Sequence, residues 1–484
     1  MKHKKIILSA LIAGGLIVTM PSCNKIEDFG DTNTNPNQTT SPSTAALLTN
    51  TLVATANDIW GNAIGLNGGL YSQFISETQY TEASRYATPN INKGGYYSGR
   101  LNDLQNIINT NTDPLTAGGV LDNGSNANQI ATARILKAYI FWQLTDAWGD
   151  IPYFEALKGE GILAYDKQSD IYPDLIKELK EAVAQFDGGA NVKGDIMYGG
   201  NIGKWKKFAN SVRLLIALRM SEVASSTAQT EVASALGDPA GVIETNADNA
   251  SLAFPGGVYN HPLYQYYNIT QRFDYALSKT VTDFQATTGD ARAAAWGSST
   301  VGFPYGLTRD DAVDFANDNP DWSYVLAASR RTATSTLAII SAAEVLLAKA
   351  EAVQRGWAAG TVADIYTAGI RASWEQWGVY DAGAFAAYLA NANVSLAANP
   401  LQKIQTQQWL AYFPDGLQGW SNQRRTGIPV LTPAPGTGLP IPNRVPYGPD
   451  EFNLNKDNAD AASALYTVGG VKNSQDAKVW WDVN

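Results

Sequence analysis

Apolar residues recur at helical spacing along much of the chain. The pattern predicts a helix from Ala45 to Trp60 and another from Ile130 to Trp148, where Ile135, Ala138, Tyr139 and Trp142 share one face. Phe208, Val212, Leu215, Ile216 and Arg219 extend the same spacing over Trp205 to Val223. A long Ala/Leu/Glu pattern runs from Ser335 to Arg355 and stops near Gly356. Thr361 to Trp377 supplies its partner, with Thr361 at the N-cap and Gly378 past the end. This helix–turn–helix, with Tyr366 and Ala368-Gly369-Ile370, has the pattern of a tetratricopeptide unit, although no clean period repeats along the chain. Between the helical blocks, 61–100, 250–330 and 426–475 are rich in Gly, Pro, Asn and aromatic residues. Loops of that length are uncommon unless functional. Strand signals are few and short. The expected fold class is mainly α, a tetratricopeptide-like helix-pair scaffold with a large loop-rich lobe.

The first residues have a different pattern. Basic Lys2, Lys4 and Lys5 precede an apolar run from Ile6 to Val18, which is shorter than the ~17–25 residues of a membrane span. Thr19-Met20-Pro21-Ser22 then leads to Cys23. A small residue before the sole cysteine of the chain resembles a bacterial lipoprotein signal, cleaved before a Cys that takes the lipid; an ordinary secretory signal that leaves a free Cys near the cut is the alternative. The expected organisation is a signal peptide over 1–22, a lipid anchor and polar tether over 23–43, and a single domain over 44–484. Glu27 and Asp28 behind the anchor resemble a surface-export signal. Asp31-Thr32-Asn33-Thr34-Asn35 imitates the start of a calcium loop, but Pro36 and Pro42 stand where Gly and Glu are required.

Composition narrows the chemistry. The 484 residues are 45% hydrophobic and 17% charged, which suits a folded chain, and the net charge of -10 with no basic run argues against nucleic-acid binding. One Cys and two His exclude an internal disulfide and any zinc site of Cys/His type. A Ser–His–Asp triad would have to use His261, which lies in a Tyr259-Asn260-His261-Pro262 turn and reads as a hydrogen-bonding surface or interface residue. Carboxylate-pair chemistry survives this test. Its obvious pair, Glu344 and Glu351, is separated by seven helical residues, a rise of ~10.5 Å. Glycosidase pairs sit ~5–5.5 or ~6.5–9.5 Å apart, so backbone bonding or Arg salt bridging inside the helical scaffold is the better reading.

Four ordered blocks carry a resemblance. They are Ala133-Arg134-Ile135-Leu136-Lys137-Ala138-Tyr139 through Asp146-Ala147-Trp148-Gly149-Asp150-Ile151-Pro152-Tyr153; Trp205 through Phe208-Ala209-Asn210-Ser211-Val212-Arg213; Ala343-Glu344 through Glu351-Ala352 to Arg355-Gly356-Trp357; and Gln407-Gln408-Trp409 through Trp420 to Arg424-Arg425-Thr426-Gly427-Ile428-Pro429. Ile441-Pro442-Asn443-Arg444 and Val479-Trp480-Trp481-Asp482 follow. In this order, behind a lipoprotein signal, they resemble the SusD-like branch of the SusD/RagB family of outer-membrane lipoproteins. The resemblance implies a non-catalytic surface protein that captures a nutrient, a glycan or oligosaccharide before a peptide. It also implies delivery to a SusC-like TonB-dependent barrel. A surface glycoside hydrolase, a peptide-binding importer component and an adhesive lipoprotein are the alternatives.

The matched blocks are scaffold and do not name the ligand. Trp142, Trp148, Trp205, Trp357, Trp374, Trp377 and Trp409 lie in or beside helical patterns and read as core. Aromatics of the loop-rich stretches, among amides and acids, read as a binding wall. Tyr80, Trp296, Tyr305 and Trp322 are the first choices, with Gln79 and Trp60 beside them. Asp310, Asp311 and Asp314 crowd one loop and are candidate ligands for a structural calcium; no other cofactor is expected. Arg424 and Arg425 read as ties between a C-terminal turn and the scaffold.

Overall fold

The computed structural model describes residues 43–484. Cys23, the tether and the 31–35 turn lie outside the described residues. Among the described residues, fifteen helices have nine residues or more and are labelled in chain order. These are α1 Thr44–Asp58, α2 Ala63–Tyr71, α3 Asn102–Thr112, α4 Asn126–Trp148, α5 Gln168–Gln185, α6 Ile202–Arg219, α7 Ser225–Leu236 and α8 Lys279–Thr288. After them come α9 Arg309–Asp318, α10 Ala342–Gln354, α11 Val362–Gln376, α12 Ala382–Ala390, α13 Pro400–Tyr412, α14 Gly416–Thr426 and α15 Lys456–Leu465.

Consecutive helices pack as pairs, α4 on α5, α6 on α7 and α10 on α11. Further contacts of α5 with α6, α10 with α13 and α13 with α14 join the pairs into one scaffold. α4 is its central helix. Ser125 caps it by accepting from the Asn128 N–H, its inner turns bury Trp142 and Trp148, and Gly149 ends it at φ 83°. Trp205, Trp374 and Trp409 are also buried, as expected of core aromatics, and Trp357 and Trp377 are half-buried against the same core.

Two short antiparallel ribbons organise the loop-rich stretches. β1 Ile75–Glu77 pairs with β3 Tyr275–Leu277, in the register Ile75 to Leu277 and Glu77 to Tyr275. β2 Ala250–Ala253 pairs with β4 Thr336–Ile340. The expected helix from Ser335 is therefore corrected at its start. Thr336-Leu337-Ala338-Ile339-Ile340 is a strand, which suits its β-branched residues, and α10 begins only after Ser341. There Ser341 and Glu344 form a reciprocal capping box. The ribbons, with α8 and α9, give the 250–330 stretch much more regular structure than its Gly- and Asn-rich composition implied.

α2 and α14 cross with almost no side-chain spacing. A Cβ on Gly416 would lie 2.0 Å from the Gly69 backbone nitrogen, and one on Gly68 would lie 2.5 Å from that of Leu417. Both obstacles are backbone and cannot rotate away. Gly416→Ala is expected to cost at least the ~1–3 kcal/mol of ordinary overpacking. A urea melt in which the variant matches the parent would contradict this close contact.

Candidate ligand-binding face

β1 and β3 carry the stretches that follow and precede them to one edge of the molecule. After β1, the Thr78 N–H donates to the Asp274 carbonyl at 2.8 Å and the Thr78 hydroxyl to the Phe273 carbonyl at 2.6 Å. Gln79 donates its amide to the Asp274 carboxylate, and Tyr80 follows, exposed. On the other flank of β3, the Leu277 N–H donates to the Ser323 carbonyl at 2.8 Å, which sets Trp322 and Tyr324 on either side of that register. Local backbone pairing thus gathers three sequence-distant aromatic segments.

Their rings form a continuous array. Tyr324 stacks on buried Tyr267 with centroids 5.1 Å apart and 24° between planes. Phe273 lies 5.7 Å from Tyr324, and Trp322 meets Tyr324 edge-on at 4.6 Å. The buried Arg331 guanidinium lies 4.9 Å from the Tyr267 ring and 5.3 Å from that of Tyr324, so the array has a cationic backing. Phe273 keeps 38% of its surface exposed, while Trp322 and Tyr324 are half-buried. Each of these three rings is held by its neighbours and keeps part of its surface exposed. The Arg309 guanidinium lies 5.5 Å from the Tyr80 ring, and Arg309 also lines a shallow depression of about 420 Å³ with Glu82 and Arg85.

The charged groups beside Phe273 are paired or buried. Arg272 is paired with Asp274 through its Nε at 2.7 Å. Glu77 accepts from the Ser84 N–H at 2.8 Å, and burial pushes its carboxyl up to about 7. The groups beside Phe273 therefore add aromatic planes and compensated polar groups, while exposed Asp321 and the acidic helix α9 lie on the Trp322 side.

The sequence-expected residues divide. Tyr80 and Trp322 stand at the face, and Gln79 is there with its amide committed to Asp274. Trp60 and Trp296 do not. Trp60 is buried against Tyr275. Trp296 is fully buried, stacked on Phe413 at 4.3 Å and edge-on to Trp377 at 5.9 Å. The Gly297-Ser298-Ser299 run leaves its indole bare only locally; its cover comes from residues far along the chain. Tyr305 is half-buried, its hydroxyl enclosed beside Tyr86. Phe273 and Tyr324 lie outside the sequence-expected set, although Phe273 belongs to the Arg272-Phe273-Asp274-Tyr275 segment and Tyr324 follows Trp322 by two, the period of one strand face.

Asp310, Asp311 and Asp314 lie on α9 and not in a loop. Thr308 caps that helix, its hydroxyl donating to Asp311 at 2.6 Å, and Asp310 and Asp311 occupy the first turn, where the helix dipole favours acids. Among the described residues, no three His, Cys, Asp or Glu side chains converge on a common metal position. His261 is also corrected: it is fully buried, accepts from the Leu263 N–H at 3.2 Å, and burial pushes its imidazole down to about 4.

Glu344 and Glu351 hold the scaffold. Glu351 receives both Arg425 Nη–H groups at 2.7 Å, Arg355 Nε–H at 2.9 Å and the Gln408 amide at 2.8 Å. Arg424 donates to the carbonyls of Asn443 at 2.6 Å and Asp146 at 2.9 Å, so both arginines tie elements together as expected. Glu344 has no cationic partner, and burial pushes its carboxyl from 4.5 to about 8. Protonation is thus favoured in the fold, and the stability it gives is fully present below pH 4.5 and lost as pH rises towards 8. Buried Asp58, raised to about 7, acts in the same direction. His261, with its depressed value of about 4, acts oppositely and only below pH 6.5. Thermal melts are therefore expected to show a stability loss between pH 6.5 and 8 that Glu344→Gln reduces. An unchanged pH slope in that variant would contradict the assignment.

Among the described residues, no helix is long and apolar enough to cross a membrane. No curated protein matches the chain in sequence. A family model described as SusD-like, "Starch-binding associating with outer membrane", matches residues 36–448. A solved chitin-binding protein is 30% identical, with a TM-score of 0.75 over 91% of this chain and 100% of that one. A chitin-binding SusD homologue from Flavobacterium johnsoniae (24% identical, TM-score 0.72, 90% and 99% covered) shares the fold. So does a SusD homologue from Bacteroides uniformis (24%, 0.76, 92% and 100%). The helix-pair scaffold, the ordered motif blocks and these matches make the chain a member of the SusD-like family, a lipid-anchored, surface-facing nutrient-binding protein of the outer membrane and not an enzyme.

Proposed function

We propose that the chain captures a neutral oligosaccharide of the chitin type on the Phe273–Tyr324–Trp322 array, with Tyr80 extending the contact, and passes it to a SusC-like TonB-dependent barrel. The observation that carries this reading is the array itself. Three adjoining rings, backed by Arg331 and open to solvent, present flat apolar faces to the C–H faces of sugar rings. Compensated charges at Arg272–Asp274 suit an uncharged ligand. The likeness to a chitin-binding protein over 91% of this chain supports N-acetylated sugars within that class. Family membership supports the barrel partner, and the lone Cys23 behind Ser22 supports the lipid anchor.

Calorimetric titration with N-acetylchitohexaose, maltohexaose and a mixed peptide panel tests the ligand class. Binding of a hexasaccharide with no peptide binding is the expected result; peptide binding alone would replace this reading with a peptide importer. Affinity capture of a tagged chain from solubilised outer membranes is expected to recover a TonB-dependent barrel. Cys23→Ala is expected to abolish lipid labelling and membrane retention. Normal labelling of that variant would refute the anchor.

A further inference from the structure

A second cleft, sharing no residue with the aromatic face, lies between α3, α4, α5 and the 152–159 loop. Its volume is about 630 Å³, within the ~300–1,000 Å³ of small-molecule sites. One wall is a row of amides on a single face of α3, Asn102, Asn106 and Asn109 at i, i+4 and i+7, joined by Gln105. The facing wall has Tyr153 and Phe154, the latter 42% exposed. Their orientation is fixed by edge-on contacts, Phe141 to Tyr153 at 4.8 Å and Tyr153 to Phe154 at 5.0 Å.

The charged groups of the cleft are already occupied. Lys137 donates to Gln105 at 3.1 Å, Tyr153 donates to Asp174 at 2.9 Å, and Glu178 is bound by Arg134 at 2.9 Å. At the rim, Lys158 is paired with Glu155. Asn102 and Asn106, by contrast, make no side-chain hydrogen bond to any described residue. Each free amide offers donors and an acceptor together, which is what a sugar hydroxyl needs and what an ionic ligand does not. A second depression of about 470 Å³ shares Asn102, Leu157 and Gly159 with this cleft, so the groove continues past one sugar unit.

We propose that this cleft is a second binding site for a neutral oligosaccharide. Phe154 provides the stacking ring and the α3 amides bond the hydroxyls. Two sites on one chain hold a polymer more tightly than either alone, because the second contact becomes intramolecular. This site goes beyond the aromatic face and does not depend on it.

The test uses the full chain, N-acetylchitohexaose and maltohexaose, in four forms: parent, Phe273→Ala/Trp322→Ala, Asn106→Ala/Phe154→Ala, and all four changes together. Circular dichroism checks the fold of each. The face variant is expected to retain a weaker binding event for at least one hexasaccharide. The cleft changes are expected to weaken that event about tenfold, the scale of one lost stacking platform. Single-site binding by the parent, or a residual event indifferent to Asn106→Ala/Phe154→Ala, would overturn the second site, as would no binding of either sugar to any form. Loss of binding in the face variant with full retention in the cleft variant would remove this site and leave the aromatic face intact.

Discussion

Arg425→Met is expected to destabilise the folded chain by about 3–5 kcal/mol, the scale of breaking a buried ion pair from one side. Arg425 and Glu351 are both buried and joined by two parallel bonds of 2.7 Å, linking α14 to α10. The variant leaves the Glu351 carboxylate with Arg355 and Gln408 but without its bidentate partner. Burial alone would raise the Glu351 carboxyl, but the charge and hydrogen bonds of Arg425, helped by Arg355 and Gln408, outweigh it and hold the group down at about 2, against an ordinary 4.5. That depression contributes stability above pH 4.5, lost as pH falls towards 2. Urea melts should therefore separate parent and variant strongly at pH 7 and much less near pH 2. Removing both charges, Glu351→Leu with Arg425→Met, should recover part of the loss, because well-packed apolar replacements of a buried pair are often neutral. Equal melts for parent and Arg425→Met would show that the pair does not hold these helices together.

Loss of rings from the aromatic face is the second large effect. Phe273→Ala removes the most exposed ring of the array without entering the main core, and is expected to weaken hexasaccharide binding by ~1–3 kcal/mol, by analogy with base stacking on aromatic side chains. Trp322→Ala should cost a similar amount of affinity. It also costs stability, since the indole packs edge-on to Phe303 at 6.0 Å. The double variant is expected to lose about a hundredfold in affinity at the face if the two losses add, with Tyr80→Ala a smaller further step. Calorimetry on folded variants reads this directly. Trp296→Ala serves as the contrast: its ring is stacked inside the core on Phe413, so its loss should lower the melting temperature before it changes the affinity of the folded fraction.

The scaffold was legible because helical spacing and capping are local. Trp142, Trp205 and Trp409 fall where their periodicity places them, and Glu351 with Arg425 is the salt bridge that the wrong glycosidase spacing left as the better reading. The start of α10 was misplaced because apolar β-branched residues at 336–340 suit a strand as well as a buried helical turn. The face was only half legible. Loop composition picks out Tyr80, which is exposed, and Trp322, which is half-buried, but it cannot separate an aromatic that faces water from one covered by a remote segment. Trp296 is covered by Phe413, over a hundred residues away in sequence, and Trp60 by Tyr275. Conversely, Phe273 and Tyr324 gain their setting from β1–β3 pairing and from Leu277 bonding Ser323, neither of which a local pattern encodes. The aspartates on α9 illustrate the same limit: a crowd of acids in sequence became an exposed, capped helix.

The central claim is that a neutral sugar chain is held on the Phe273–Tyr324–Trp322 array. A crystal structure of the full chain with N-acetylchitohexaose tests it most directly. The expected result is a sugar ring lying flat against at least one of these three rings, with Tyr80 or the Arg272–Asp274 pair in hydrogen-bond reach. Ordered sugar only at other surfaces, with the array bare, would contradict it.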